Sequence, residues 1–486
     1  MNTDMMKKII SVGTLASLLL LLSCKKDFIE LDPISTVSTD ALYKTDKDFK
    51  DAVIGIYGVY QNQYQNMWLF GDMRGDDSWD ELVKGTAAAM DNFTINNDDP
   101  VINSTWLNYY TIINRANLVL AKIADVDVAV VKNKEGYAAE ARFLRALAYF
   151  DLVRIYGDVP MVTTLSTIEE SYKSGREKTA TIYEQVIIPD LLAAEAQLPP
   201  KFTGSDMGRA TKGAAKALLG KVYLTTHDFV KAEAKLQEVT TMGYALLPKY
   251  NDLFDYTKDE HHNEYIFDIE YEQGIGEGNC FTTNFSPKDP PTAAFYGVTG
   301  GQNGNNNPPK SLFELFPAGD LRKDITAANG FTDNNGVFHP LIPTSNDVQT
   351  YTKKYMTRLL ASCDSRANWK VIRYADVLLM YAEALNENGK TKEALPFLNM
   401  VRTRAGLPGY PATLTKEVVR ENIYLERRLE LSFEGHRWFD LLRTERALTT
   451  MGKFGMKPYM TVFPLPFSQV KLINDPAIFP QNTGYN

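Results

Sequence analysis

A mostly α-helical protein, in which paired helices support a loop-rich half with a few short strands, is what this sequence predicts. Three observations carry that expectation. Apolar residues recur at three- and four-residue steps over most of the chain. Two distant segments share one helix-pair spacing. Between them, residues 274–310 are dense in Gly, Asn and Pro.

The helical stripes come first. In residues 101–125, Trp106, Tyr109, Ile112, Ile113, Ala116, Leu120 and Ile123 mark one face of an amphipathic helix. Residues 136–156 form a second helix rich in Ala and Leu, stopped by Gly157 and Pro160. Residues 179–197 and 210–226 predict two more. Period-two alternation is rare; Tyr265, Phe267, Ile269 and Tyr271 suggest one strand within 264–271.

The repeat is next. Gly220, Tyr223, Ala232, Leu236 and Val239 stand at offsets 0, 3, 12, 16 and 19, and Ala382, Leu385, Ala394, Leu398 and Val401 repeat those offsets. Small residues let two antiparallel helices approach, and large ones fill the groove between them. The spacing is that of tetratricopeptide-like (TPR-like) pairs, although the copies do not follow in tandem. The Gly/Asn/Pro-rich segment carries Phe281, Phe285, Phe295 and Tyr296. A disordered linker would carry few aromatics, so this loop is expected to pack in part on the helical body and to offer a ligand face.

The N-terminus predicts the location. Lys7 and Lys8 precede an apolar run, Ile9–Leu22, that ends in Leu21-Leu22-Ser23-Cys24. Basic, apolar, then small is a secretory signal, and the run falls short of the ~20 residues that span a bilayer. Residues 1–23 therefore read as a lipoprotein signal peptide and Cys24 as the lipidated first residue of the mature chain. Acyl chains hold a protein to a membrane without a spanning segment. Residues 24–255 are expected to form an N-terminal helical region and 256–486 a C-terminal region that includes the loop.

Composition excludes several classes. The chain is 44% apolar and 23% charged with net charge −8, ordinary globular usage without the basic block that nucleic acid requires. Of its three cysteines, Cys280 and Cys363 follow Cys24 and leave a disulfide open. The five histidines form no HExxH pattern, and His261-His262 reads as a solvated loop pair. No GxSxG, P-loop or GxGxxG context appears. No catalytic residue, metal ligand or cofactor is expected. The acidic run Asp72, Asp76, Asp77, Asp80 and Glu81, beside Trp68 and Trp79, reads first as a solvated loop. Sugar binding or a calcium site are its functional alternatives.

Five ordered blocks resemble the SusD/RagB family of outer-membrane nutrient-binding lipoproteins. They are residues 24–33 (CKKDFIELDP), 140–160 (EARFLRALAYFDLVRIYGDVP), 371–384 (VIRYADVLLMYAEA), 426–443 (ERRLELSFEGHRWFDLLR), and the closing Pro464-Leu465-Pro466 with Gln481–Tyr485. Thr483 stands where the family often has Pro. The resemblance implies a SusD-like fold and display at the cell exterior, with the charges after Cys24 as an export cue. It implies a SusC-like TonB-dependent transporter as partner, over which the protein closes as a lid. It also implies a ligand that is usually a glycan and sometimes a peptide. Arg427, Arg428, Glu434, Arg437 and Asp440 are then expected in scaffold ion pairs. Loop chemistry nominates Trp68, Arg74, Asp77 and Trp79 on one side of the ligand and Tyr271, Phe285, Tyr296 and Asn303 on the other. A surface glycoside hydrolase or peptidase, and an adaptor that binds only protein, are the competing classes.

Overall fold

The structure, a computed structural model, describes residues 42–80, 84–258, 261–301, 303–342 and 349–485. The signal sequence, Cys24 and Glu81 lie outside them. Nine main helices form the body: α1 (Asp46–Tyr64), α2 (Pro100–Ala124), α3 (Lys134–Tyr156), α4 (Ile188–Gln197), α5 (Lys212–Thr225), α6 (Phe229–Thr240), α7 (Tyr374–Glu387), α8 (Thr391–Arg404) and α9 (Lys416–Leu431). Local chemistry sets their starts. Thr45 closes a capping box on α1, Asp99 caps α2 ahead of Pro100, and Thr211 and Thr415 cap α5 and α9.

Each helix packs on the next, α1 on α2 through to α8 on α9, as one continuous array. The two repeat copies are α5–α6 and α7–α8. Far apart in sequence, they are neighbours in space, because α6 packs directly on α7. The small positions act as the spacing predicts. Ala232, Ala382 and Ala394 are fully buried, and a Cβ at Gly220 would collide with Leu236 of the facing helix. Residues 179–197 are not one regular helix. Tyr183–Ile187 is a π turn ahead of α4. Pro189 has no N–H to give the preceding turn, so the chain widens there instead.

Residues 241–373 leave the array after α6 and return to it at α7. Their ends are tied together by β1 (Tyr265–Ile269) antiparallel to β4 (Trp369–Arg373). β4 takes up the first three residues of the block at 371–384, and the helix begins at Tyr374. A hairpin of β2 (Gly330–Thr332) and β3 (Phe338–Pro340) adds two strands that the sequence did not signal. Inside the excursion, the Gly/Asn/Pro-rich segment folds into short helices at Phe281–Phe285 and Pro290–Phe295, and Cys280 is bonded to Cys363. A small second core around Tyr296, Tyr351 and Leu341 sits here, apart from the large core of the helix array.

The block at 426–443 is a charge hub. Glu430 pairs with Arg322, Arg373 and Arg404, and Glu434 with Arg373 and Lys354, all in the interior. Arg427 bridges Asp376 and Asp440 at 2.8 and 3.0 Å. Arg428 and Arg437 hold Asp77 and Asp76. These are the scaffold ion pairs that the family resemblance implied. Among the described residues no helix is long and apolar enough to cross a membrane.

Candidate functional site

The two loops nominated from the sequence do come together. Trp79 and Asn307 exchange both backbone hydrogen bonds at 3.0 Å, and Ser78 donates to Asn306 Oδ1 at 2.7 Å. Below this junction the Trp68 ring meets Phe285 edge-on, centroids 5.3 Å apart.

Most of the nominated side chains are buried in packing or internal pairs, which corrects the expectation that they face a ligand. Trp68 and Phe285 are core rings. Arg74 is fully buried, its guanidinium 4.5 Å from the Phe93 ring centroid and 4.4 Å from that of Phe463. Asp77 is buried against Arg428 at 2.5 Å. Tyr271 is buried and donates to the Gln61 carbonyl at 2.6 Å. Tyr296 shares a hydroxyl contact with Tyr351 at 3.3 Å in the second core. The core accepts the Trp68 and Tyr rings once their polar ends are paired, whereas the Arg74 guanidinium lies between aromatic rings with Nε and one terminal nitrogen unpaired.

Two nominated residues stay at the surface. Trp79 is 36% exposed. Asn303 is half-buried and donates from Nδ2 to Asn284 Oδ1 at 2.9 Å. Around them the loop stacks Asn305, Asn306 and Asn307, all buried; Asn306 takes a left-handed φ of 54°, which Asn tolerates. Among the described residues, Asn305 Oδ1, Asn307 Oδ1 and Ser286 Oγ are buried without a hydrogen-bond partner. Such atoms cost about 1–3 kcal/mol each. Sequence reasoning nominated one Asn of this run and passed over the other three. Their composition was the signal, since planar amides are suited to sugar hydroxyls.

The acidic run is not a solvated loop either. Asp72, Asp77 and Asp80 are buried, and Asp76 is held by Arg437. Burial pushes the Asp72 carboxyl up to about 8, against a hydrogen bond from Gly435 N. Burial also raises Asp91 to about 6, with the Asp80 backbone and Asp80 charge acting in opposite directions. His261 and His262 are partly buried rather than solvated, and His261 Nε2 lies 2.7 Å from Glu270. No cluster of three or more metal-ligating side chains occurs among the described residues.

Comparison with known proteins gives the family. The model of the SusD family matches residues 235–481, half of the chain. The chain belongs to the SusD family. A second model, described as starch-binding and associating with the outer membrane, matches residues 27–224. The SusD-like protein P2 of Formosa agariphila is 28% identical over 96% of this chain and 98% of its own length. Among solved structures, a laminarin binding SusD-like protein superposes with TM-score 0.77 at 29% identity, covering 91% of this chain and all of the other. Surface glycan-binding protein A from Bacteroides uniformis superposes with TM-score 0.74 at 25% identity, covering 90% of this chain and 99% of that one. The SusD assignment and the mostly helical SusD-like fold agree with the resemblance drawn from the five blocks.

Proposed function

We propose that this SusD-family protein is a lipid-anchored, outer-membrane glycan-binding protein. In this reading it captures oligosaccharide or polysaccharide at the cell exterior and hands it, as a lid, to a SusC-like TonB-dependent transporter. It acts by binding and not by bond cleavage. The observation that carries the reading is the exposed Trp79, its backbone paired with Asn307 in the loop that also presents the half-buried Asn303, on a SusD scaffold. A sugar ring offers its C–H face to an indole, and its hydroxyls suit planar amides. The relatives named above as binding starch-type, laminarin or surface glycans support the ligand class.

Trp79→Ala should weaken binding about tenfold, from roughly 1.5 kcal/mol of lost ring contact, and change the melting temperature little, because Trp79 is 36% exposed and lies outside the packed core. Calorimetry with laminarin and soluble starch measures this. Unaltered affinity would move the site elsewhere, and release of smaller sugars by the wild type would replace binding by hydrolysis. Anchoring has its own test. Cys24→Ala should leave a folded protein that no longer sediments with membranes, since acyl chains alone hold it. Retention after a high-salt wash would count against the lipoprotein reading.

A further inference from the structure

A concave surface lies well away from Trp79 in the chain. The loop between α4 and α5, the turn after α6 and the approach to β1 enclose a cleft of about 390 Å³. That is the size range of small-molecule sites. Phe202, Tyr244 and Tyr265 line it, and each ring is half-buried. Tyr244 rests on the core with its ring 6.1 Å from that of Tyr374 and turns its other side to the hollow.

The cleft is held rigid from behind. Arg209 packs its guanidinium 4.7 Å from the Phe202 ring centroid and is itself fixed by both oxygens of Glu140 and by Asp206 at 3.0 Å. Tyr265 donates toward the Gly208 carbonyl and Glu270, both at 3.3 Å, and its ring is met edge-on by His261. Gly208 has a φ of 90°, and a Cβ there would overlap the Glu270 carboxylate, so only glycine fits this close approach. The Arg209 charge is spent on two carboxylates, which leaves little to attract an anion. At the rim, Asn263 is exposed beside half-buried His262.

We infer that this cleft is a second saccharide subsite, one that takes a neutral hexose unit between Phe202 and Tyr244. Aromatic walls suit the apolar face of a sugar ring, and the amide and imidazole groups at the rim suit its hydroxyls. An aliphatic groove would suit a protein segment instead. The subsite shares no lining residue with the Trp79 junction, and a glycan long enough to reach both would gain avidity that a short one does not. This inference rests on the glycan-binding reading above.

The test uses the mature chain carrying Cys24→Ala. Wild type, Phe202→Ala, Tyr244→Ala and Trp79→Ala are compared by affinity electrophoresis in gels containing laminarin or soluble starch, with melting temperatures recorded. Crystals of the wild type are soaked with laminaritriose and maltotriose. The expected result is a sugar ring in the cleft and retardation weakened about threefold or more by Phe202→Ala or Tyr244→Ala, at wild-type melting temperature. Should either variant misfold, the soaked wild-type crystal decides. Full retardation of both folded cleft variants, with Trp79→Ala impaired and no sugar in the cleft, would overturn the second subsite and leave the first standing. A wild type that neither polysaccharide retards, with no sugar in the crystal, would overturn both.

Discussion

At the scale of single residues, two tryptophans eleven positions apart, Trp68 in a short helix at Met67–Gly71 and Trp79 in the loop after it, have opposite fates, and side-chain type alone did not separate them. Trp68 donates from its indole N–H to the Gln65 carbonyl at 2.9 Å and closes over Phe285. Trp79 has its backbone pinned to Asn307 while its ring stays out. A sequence shows that a loop holds aromatics but not which ring the neighbouring chain covers, since that depends on residues some two hundred positions away. The same blindness applied to charge. Nothing near His436 in sequence announces that it is buried beside the Lys221 ammonium, which lies 3.2 Å from its Nδ1, with Asp376, Arg427 and Asp440 around it. Burial, reinforced by Lys221, holds this imidazole down to about 3. The folded state therefore keeps it neutral, while the unfolded chain takes a proton below its ordinary value of 6.5. The stability so contributed is complete above pH 6.5 and is lost as pH falls toward 3, by up to about 1.4 kcal/mol per pH unit. Denaturant midpoints between pH 7 and 4 should fall steeply in the wild type and less steeply in His436→Gln. Parallel slopes would show that other groups set the acid limit.

At the scale of elements, legibility followed the period. Helices α2, α3 and α5 were readable within a few residues because apolar residues recur at helical spacing in each, on one clear stripe in α2. α3 tested that limit, since 19 of its 23 residues are buried and its apolar face runs nearly all round. The hairpin of β2 and β3 was invisible because three-residue strands are too short for an alternation to register. The repeat offsets carried the most information per residue, since a small residue facing a large one reports a helix crossing directly. That yields a stability prediction. Ala394 of α8 is fully buried where the helix closes on α7. Ala394→Leu, and likewise Ala232→Leu between α5 and α6, should overpack the crossing by about 1–3 kcal/mol. Chemical denaturation measures it; unchanged midpoints in both variants would mean that the crossings yield without strain.

At the scale of the whole molecule, the chain interrupts its helix array after α6, builds the loop-rich excursion, and returns to the place it left. The candidate site belongs to the excursion and to the early loop after α1, while the means of holding them lies in α9 and the turn beyond it. Glu434 is the joint. It is buried and takes Lys354 from the excursion at 2.6 Å and Arg373 from the end of β4 at 2.7 Å. Arg373 in turn reaches Glu264 just before β1 and Glu430 on α9. Burial pulls the Lys354 ammonium down to about 8 even with Glu434 beside it, so the lysine is charged at neutral pH only by virtue of its partners. Removing one partner from a buried pair leaves an uncompensated charge, which costs about 3–5 kcal/mol. Glu434→Gln keeps the shape and removes the charge, so it isolates that term from packing. It should lower the denaturant-derived stability by an amount of that order. Because Arg373 and Lys354 join the excursion to the array, the weakened protein should expose residues 265–373 to protease before the helices unfold. Loss of both parts in one transition, at wild-type stability, would mean that packing and the Cys280–Cys363 bond hold the excursion without the charge hub.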